Sequence, residues 1–195
     1  MKIITREASE NVVNYAFDFA VRNNRKKITC GHKAGVMKLG DGCFLDTFRE
    51  IQNKYRKIET EEMQIDTACA YLARNPENMD VMVMPNLYGD IVSDLCAGLI
   101  GGLGLTASGN IGTNCAVYEA VHGTAPDIAG AGVANPTALL LSACMMLHDM
   151  GYSKEAAQIE TAVSQVFAEA KYLTMDLGGK AKTNEFVNAV LGKIE

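Results

Sequence analysis

Apolar residues recur at positions 12, 13, 16, 17 and 20 within ASENVVNYAFDFAVRNN (8–24). That spacing puts them on one face of an α-helix, and Ser9 is a candidate N-cap. The short run KKITCGH (26–32) then predicts a strand. GDGCFLDTFREIQNKYRKI (40–58) returns to the helical period, with Phe44, Leu45, Phe48, Ile51 and Tyr55 on one face. A shorter helix is predicted from Asp66 to Ala73, and DVMVM (80–84) reads as a buried strand. NCAVYEAVHG (114–123) predicts a strand running into a turn. NPTALLLSACMMLHDMG (135–151) predicts a helix that opens near Pro136 and closes at Gly151. Two more amphipathic helices are expected, from about 153 to 171 and from Thr183 onward, with Thr183 as candidate cap. Strands alternating with helices give an α/β fold class. The glycine-rich stretch 98–112 is the expected hinge or boundary.

Composition narrows the function classes. The 195 residues are 48% hydrophobic and 21% charged, as in ordinary globular proteins. The net charge of −5 announces no surface for a polyanion, so nucleic acid is not expected as a partner. No apolar run is long enough to span a membrane, and residues 95–105 are interrupted by four glycines. The six cysteines are spread out with no CxxC pair, which favours buried thiols in a reducing compartment over disulfides or zinc. The opening MKIITREASENVV has no apolar signal core and carries two acids, so neither a secretory nor a transit leader is expected there.

Three segments carry candidate chemistry. In MPNLYGDIVSDLCAGLIGGLGL (84–105), Asp90 and Asp94 are the only charges among residues that otherwise read as core. On a helix they stack one turn apart and repel by roughly 0.2–0.5 kcal/mol even when exposed. Either Asp90 caps a helix beginning after Gly89 and Asp94 pairs with a base, or the two hold a hard divalent cation through carboxylate oxygens. Asp66, in IDTACAYL, is a third isolated acid. In GHKAGVMK (31–38), Lys33 follows a strand directly. It is either a solvated strand-end lysine or, in a desolvated pocket beside a metal, a proton carrier. YEAVHGTAPDIAGAGVANP (118–136) is rich in small residues, with one histidine, two acids and an asparagine. Such a loop is either a plain connection or one whose glycines let backbone approach a ligand closely. No GxGxxG after a strand and no P-loop occurs.

Taken together, HKAGVMKLGDG, MPNLYGDIVSDLCAGLIGGLG, GNIGTNCAVYEAVHGTAPDIAG and ANPTALLLSACMMLHDMG resemble the β-decarboxylating dehydrogenases, the isocitrate and isopropylmalate dehydrogenases. The resemblance is nearest to the mitochondrial NAD-dependent isocitrate branch, and His32 before Lys33 favours isocitrate over isopropylmalate. It implies an isocitrate/isopropylmalate dehydrogenase-like fold, C-terminal half only. Residues 1–100 would be most of the small, dimer-forming domain with part of the metal site. Residues 101–195 would be the C-terminal part of the large, NAD-binding domain. It further implies Mg²⁺ or Mn²⁺ held by Asp90 and Asp94, with Asp66 lent by a neighbouring protomer. Lys33, also lent across the dimer, would assist proton removal from the substrate hydroxyl. His122, Gly123, Thr124, Ala125, Asp127 and Asn135 would form the adenosine loop for NAD, because an acid at 127 repels a 2′-phosphate.

By the same resemblance the substrate is isocitrate, the partners are homologous dehydrogenase subunits, and the location is the mitochondrial matrix. Carboxylates at both 90 and 94 point to a subunit of the catalytic type, since the regulatory type tends to carry amides. One departure stands out: the family usually has Asn two residues after the lysine, and here Gly35 takes that place. The family's substrate-clamping arginines belong to the half that has no counterpart in this chain. Activity of the chain alone is therefore not expected. The alternatives are a non-catalytic chain that dimerises with full-length subunits, or a 3-isopropylmalate-type dehydrogenase.

Overall fold

A computed structural model describes residues 2–194, which form two compact units divided between Cys96 and Ala97. The first unit is built on a parallel sheet of three strands, β1 (Lys27–His32), β2 (Glu59–Gln64) and β3 (Val81–Val83), in the order β2-β1-β3. Helices α1 (Arg6–Arg22) and α2 (Gly40–Gln52) supply the apolar stripes read from the sequence. Val13, Phe17, Phe44, Phe48 and Ile51 meet Ile28 and Cys30 of the central strand in one core. Burying aromatic and aliphatic side chains in this way contributes on the order of 1.5–3 kcal/mol each. Burial also pushes the Cys30 thiol up to about 12, which keeps it protonated and inert.

Two details differ from the sequence pattern. Thr5, not Ser9, caps α1: its hydroxyl accepts from the Ala8 N–H at 3.2 Å, while Ser9 sits inside the helix and donates to the Thr5 carbonyl at 2.7 Å. Three residues separate the cap oxygen from the N–H that donates to it, the reach of a short side chain at an extended residue. Helix α2 stops at Gln52 instead of running to 58. Tyr55 still reaches the core from the following turn and stacks on Phe17 with ring centroids 4.7 Å apart.

Strand β2 has no counterpart in the sequence pattern, because ETEEMQ has no apolar run. As one of the two outer strands it pairs its inner edge with β1 through a full parallel register, Lys27↔Glu59 to His32↔Gln64. Its acids find bases: Lys27 Nζ lies 3.0 Å from Glu61, and Arg49 makes two 2.7 Å hydrogen bonds to Glu62. Charged side chains on an edge strand are a common guard against unwanted pairing. Helix α3 (Ile65–Arg74) leaves β2 without a loop.

Helix α4 (Asn86–Leu99) carries the segment that read as core around two acids. Val92 and Ala97 are buried, but Leu87, Ile91, Leu99 and Ile100 are exposed. Asp90 lies within the helix and does not cap it, since Tyr88 and Gly89 already donate to the Pro85 carbonyl.

The second unit joins an antiparallel pair, β4 (Ala107–Ile111) and β5 (Ala116–Ala120), to helices α5 (Thr137–Asp149), α6 (Ser153–Glu169) and α7 (Thr183–Ile194). β4 lies in the stretch read as a hinge, and its glycine and asparagine concealed it. Ser142 of α5 ties down both strands, accepting from the Ser108 N–H at 3.1 Å and reaching the Glu119 carbonyl at 2.7 Å. Ala162, Val163, Val166, Phe186 and Val190 form the helical core. Gly101 and Gly102 have φ of 117° and 129°, values open in practice only to glycine. Among the described residues no helix is long and apolar enough to cross a membrane. The cysteines are all free; Cys30 and Cys144 are buried, whereas Cys115 is exposed.

Candidate functional site

Lys33 is the first residue beyond β1, and its direction is set by a polar knot beneath it. Asp41, in the first turn of α2, has a fully buried side chain. Its carboxylate accepts from the Lys33 backbone N–H at 2.8 Å and from Lys2 Nζ at 2.7 Å. The Lys2 ammonium also lies 4.1 Å from the ring centroid of Tyr88 at the start of α4. Burial disfavours the Asp41 charge, yet hydrogen bonds from Lys2, the Lys33 N–H and Tyr88 outweigh it and hold the carboxyl below its ordinary range. His32 is buried as well, which lowers its pKa, and its Nδ1 accepts from the Ala34 N–H at 3.1 Å. The turn closes with Val36 and Met37 donating to the Lys33 carbonyl.

The Lys33 side chain then reaches Asp66 on α3, Nζ to Oδ1 at 2.6 Å. This hydrogen bond, supported by the Asp66 and Thr67 backbone N–H groups, holds Asp66 below the usual carboxylate range. Two of the candidate residues are thus brought together.

Asp90 and Asp94 are both exposed on α4, and no base pairs with either among the described residues. The base required by the structural reading of Asp94 is therefore absent from the described part of this chain. Two carboxylates one turn apart without countercharge fit a hard dication that takes one or two protein oxygens and completes its shell with water and substrate. Asp66 stands apart from them within the one chain, where no group of three acids, cysteines or histidines gathers among the described residues, and its expected place beside the metal is in the site of a neighbouring protomer.

In the second unit, His122, Gly123, Thr124, Ala125 and Asn135 line one cavity of about 760 Å³. Asp127 is exposed in the 3-10 turn Pro126–Ile128, and it is Ile128, not Asp127, that lines the cavity. His122 Nδ1 lies 2.9 Å from the Gly123 carbonyl. Ala125 holds a left-handed φ of 43°, a strained setting for a residue with a side chain. The buried Asn135 carboxamide is anchored on both ends. Its oxygen accepts from the Thr137 N–H and hydroxyl at 3.0 and 2.7 Å, and its nitrogen donates to Asp176 at 2.9 Å. Open space surrounds Gly123, Gly130 and Gly132, so the cavity has room for a flat, nucleoside-sized ligand. Gly104 is a floor: a Cβ there would lie 3.3 Å from the Asp176 carboxylate and 3.4 Å from Asn135.

Sequence reasoning missed Asp41, Lys2, Asp176 and Gly104. Asp41 sits within HKAGVMKLGDG, but only the fold shows it beneath Lys33. Nothing in TMDLGG marks Asp176, which comes 41 residues after its partner.

Residues 1–190 match the isocitrate/isopropylmalate dehydrogenase family. The chain belongs to that family. It is 56% identical over its whole length to the probable mitochondrial NAD isocitrate dehydrogenase alpha chain of Drosophila melanogaster, covering 52% of that protein. It is also 56% identical to a regulatory subunit of the mitochondrial NAD isocitrate dehydrogenase of Dictyostelium discoideum, covering 55% of it. The crystal structure of isocitrate dehydrogenase from Methylococcus capsulatus superimposes with a TM-score of 0.96 at 44% identity, across all of this chain and 58% of that one. The chain spans about half the length of these relatives, and the fold is that half of the dehydrogenase fold.

Proposed function

We propose that this chain serves the NAD-dependent oxidative decarboxylation of isocitrate to 2-oxoglutarate, as part of an assembly of dehydrogenase subunits in the mitochondrial matrix. The observation that carries the reading is the pair of uncompensated carboxylates, Asp90 and Asp94, on a helix of a chain whose full length matches this family. These two acids, with Asp66 lent by a neighbouring protomer, would hold Mg²⁺ or Mn²⁺. When bound, the ion supplies Lewis-acid polarisation of the substrate hydroxyl and its neighbouring carboxylate.

Lys33 moves the hydroxyl proton, and Asp66 keeps its ammonium aimed. Both are lent to the site of a neighbouring protomer, and the relatives named as alpha and regulatory subunits favour such an assembly. The loop from His122 to Asn135 receives the adenosine of NAD. His122 offers an imidazole face, and Asp127 offers an acceptor for ribose hydroxyls that would repel a 2′-phosphate. The first hundred residues act as the small, dimer-forming domain and the remainder as part of the NAD-binding domain.

The test is NADH formation from isocitrate and Mn²⁺ by the purified chain, by itself and mixed with a full-length partner. The chain by itself is expected to be silent, because no counterpart of the substrate-clamping arginines is present in it. The mixture is expected to form NADH faster than the full-length partner does without it. A mixture no faster than the partner without this chain would sink the catalytic reading. It would leave a chain that pairs with full-length subunits without turnover, a reading favoured by the regulatory relative.

A further inference from the structure

Gly35, two residues past Lys33, poses a question of space. Its φ lies outside the left-handed region, so the backbone would accept any residue, and glycine is not required by conformation. The space above it is shared with the end of one side chain. A Cβ built on Gly35 would lie 3.3 Å from Nε2 of Gln64, 3.9 Å from its Oε1 and 4.0 Å from its Cδ. Gln64 ends β2 directly opposite His32, and Asp66 follows two residues later. The same two chain segments therefore hold the Lys33–Asp66 ion pair at 2.6 Å and, beside it, the Gln64 carboxamide over Gly35. That carboxamide is exposed and makes no hydrogen bond among the described residues.

We propose that Gln64 is a ligand-contacting residue of this site: its Nε2–H donates to a carboxylate or carboxamide oxygen of the molecule that Lys33 serves, and Gly35 is small to make way for it. The proposal rests on the reading of Lys33 as a proton carrier. A neutral donor beside a tight ion pair adds directional hydrogen bonding without disturbing the charge balance that Asp66 gives Lys33. Two sources carry such an oxygen, the acid substrate and the carboxamide of the nicotinamide. In either case Gln64 would be lent across the protomer contact together with Lys33 and Asp66.

The test compares the unaltered chain with Gln64→Ala, Gly35→Asn and the double variant. Each is mixed with a full-length partner, and the readout is the activity above that of the partner by itself. Gln64→Ala should lower kcat/KM by about 10- to 100-fold, the loss of one hydrogen bond to a charged or polarised partner. Its melting temperature should stay unchanged. The double variant should recover most of this, because an asparagine at 35 returns a carboxamide to the vacated space, and the two changes should be strongly non-additive. A rise in the isocitrate KM identifies the carboxylate as the partner, and a rise in the NAD KM identifies the nicotinamide. Independently of turnover, the Gln64 side-chain NH₂ resonance, assigned by its absence in Gln64→Ala, should shift when isocitrate with Mg²⁺ or NAD is added to the complex. Unaltered kcat/KM in Gln64→Ala with a still resonance, in a mixture that is otherwise active, overturns this proposal alone. A mixture with no activity from the unaltered chain overturns it together with the function it rests on.

Discussion

The lysine turn at 32–41 and the loop at 122–135 are built on opposite principles. The first is sewn from below: a buried carboxylate at Asp41 takes hydrogen bonds from a side-chain ammonium and a backbone N–H, and Lys33 ends on Asp66. The second is held at its far end, where Asn135 is fastened to Thr137 and Asp176, while the span from Gly123 to Asp127 is exposed. The role proposed for Lys33, carrying a proton, demands geometry held to well under about 1 Å. The role proposed for the loop, receiving a large ligand, gains from openness and from ordering on binding. The difference predicts where substitutions cost activity and where they cost stability.

The largest expected effect is on chemistry. Lys33→Met, mixed with a full-length partner, should lower kcat by about 10²- to 10⁴-fold with the chain still folded by circular dichroism. An unchanged kcat would place Lys33 among ordinary surface lysines. Next comes Asp41→Ala, which strands the Lys33 N–H and the Lys2 ammonium. Urea unfolding should show a loss of about 2–4 kcal/mol in the first unit, with Lys33 more readily acylated while Lys54 and Lys57 keep their rates.

On the other loop, Asn135→Ala removes the acceptor for Thr137 at the start of α5 and should cost about 1–2 kcal/mol. Asp127→Ala, by contrast, should stay within about 0.5 kcal/mol. A large loss at 127 would erase the contrast between the anchored end and the open span.

The smallest effect is a pH signature of the knot. Asp41 has a folded pKa below its ordinary 3.8, so its contribution is complete above that ordinary value and fades as pH falls through the folded one. The stability gap between the unaltered chain and Asp41→Asn should therefore be full at neutral pH and narrow in acid below about pH 4. A gap that persists unchanged at low pH would show that the carboxylate charge is not what holds the turn.

Legibility followed physical type. The helical stripes of α1 and α2 were readable because one buried face forces a 3.6-residue period, and Phe17, Phe44 and Phe48 landed in the core. β2 was unreadable because its acids are matched by Lys27 and Arg49 from other elements, leaving no apolar pattern behind. The site divides in the same way. Asp90 and Asp94 were visible as charges out of place on a helix, and five of the six loop residues lie together around one cavity. Asp41, Asp176 and Gln64 look like ordinary polar residues until the chain is folded.

By itself, then, the sequence determined most of the helices, the strands β1, β3 and β5, the candidate chemistry and the family, since each is written in local spacing or in contiguous motifs. Only the tertiary structure decided which carboxylate buries itself beneath Lys33, which acid fastens Asn135, and which carboxamide fills the room over Gly35. The two hydrogen-bonded pairs are 8 and 41 positions apart in the chain, and Gln64 lies 29 positions from Gly35. A hydrogen bond across such a distance leaves no periodic trace, because it depends on where two elements cross and not on the residues that flank either partner.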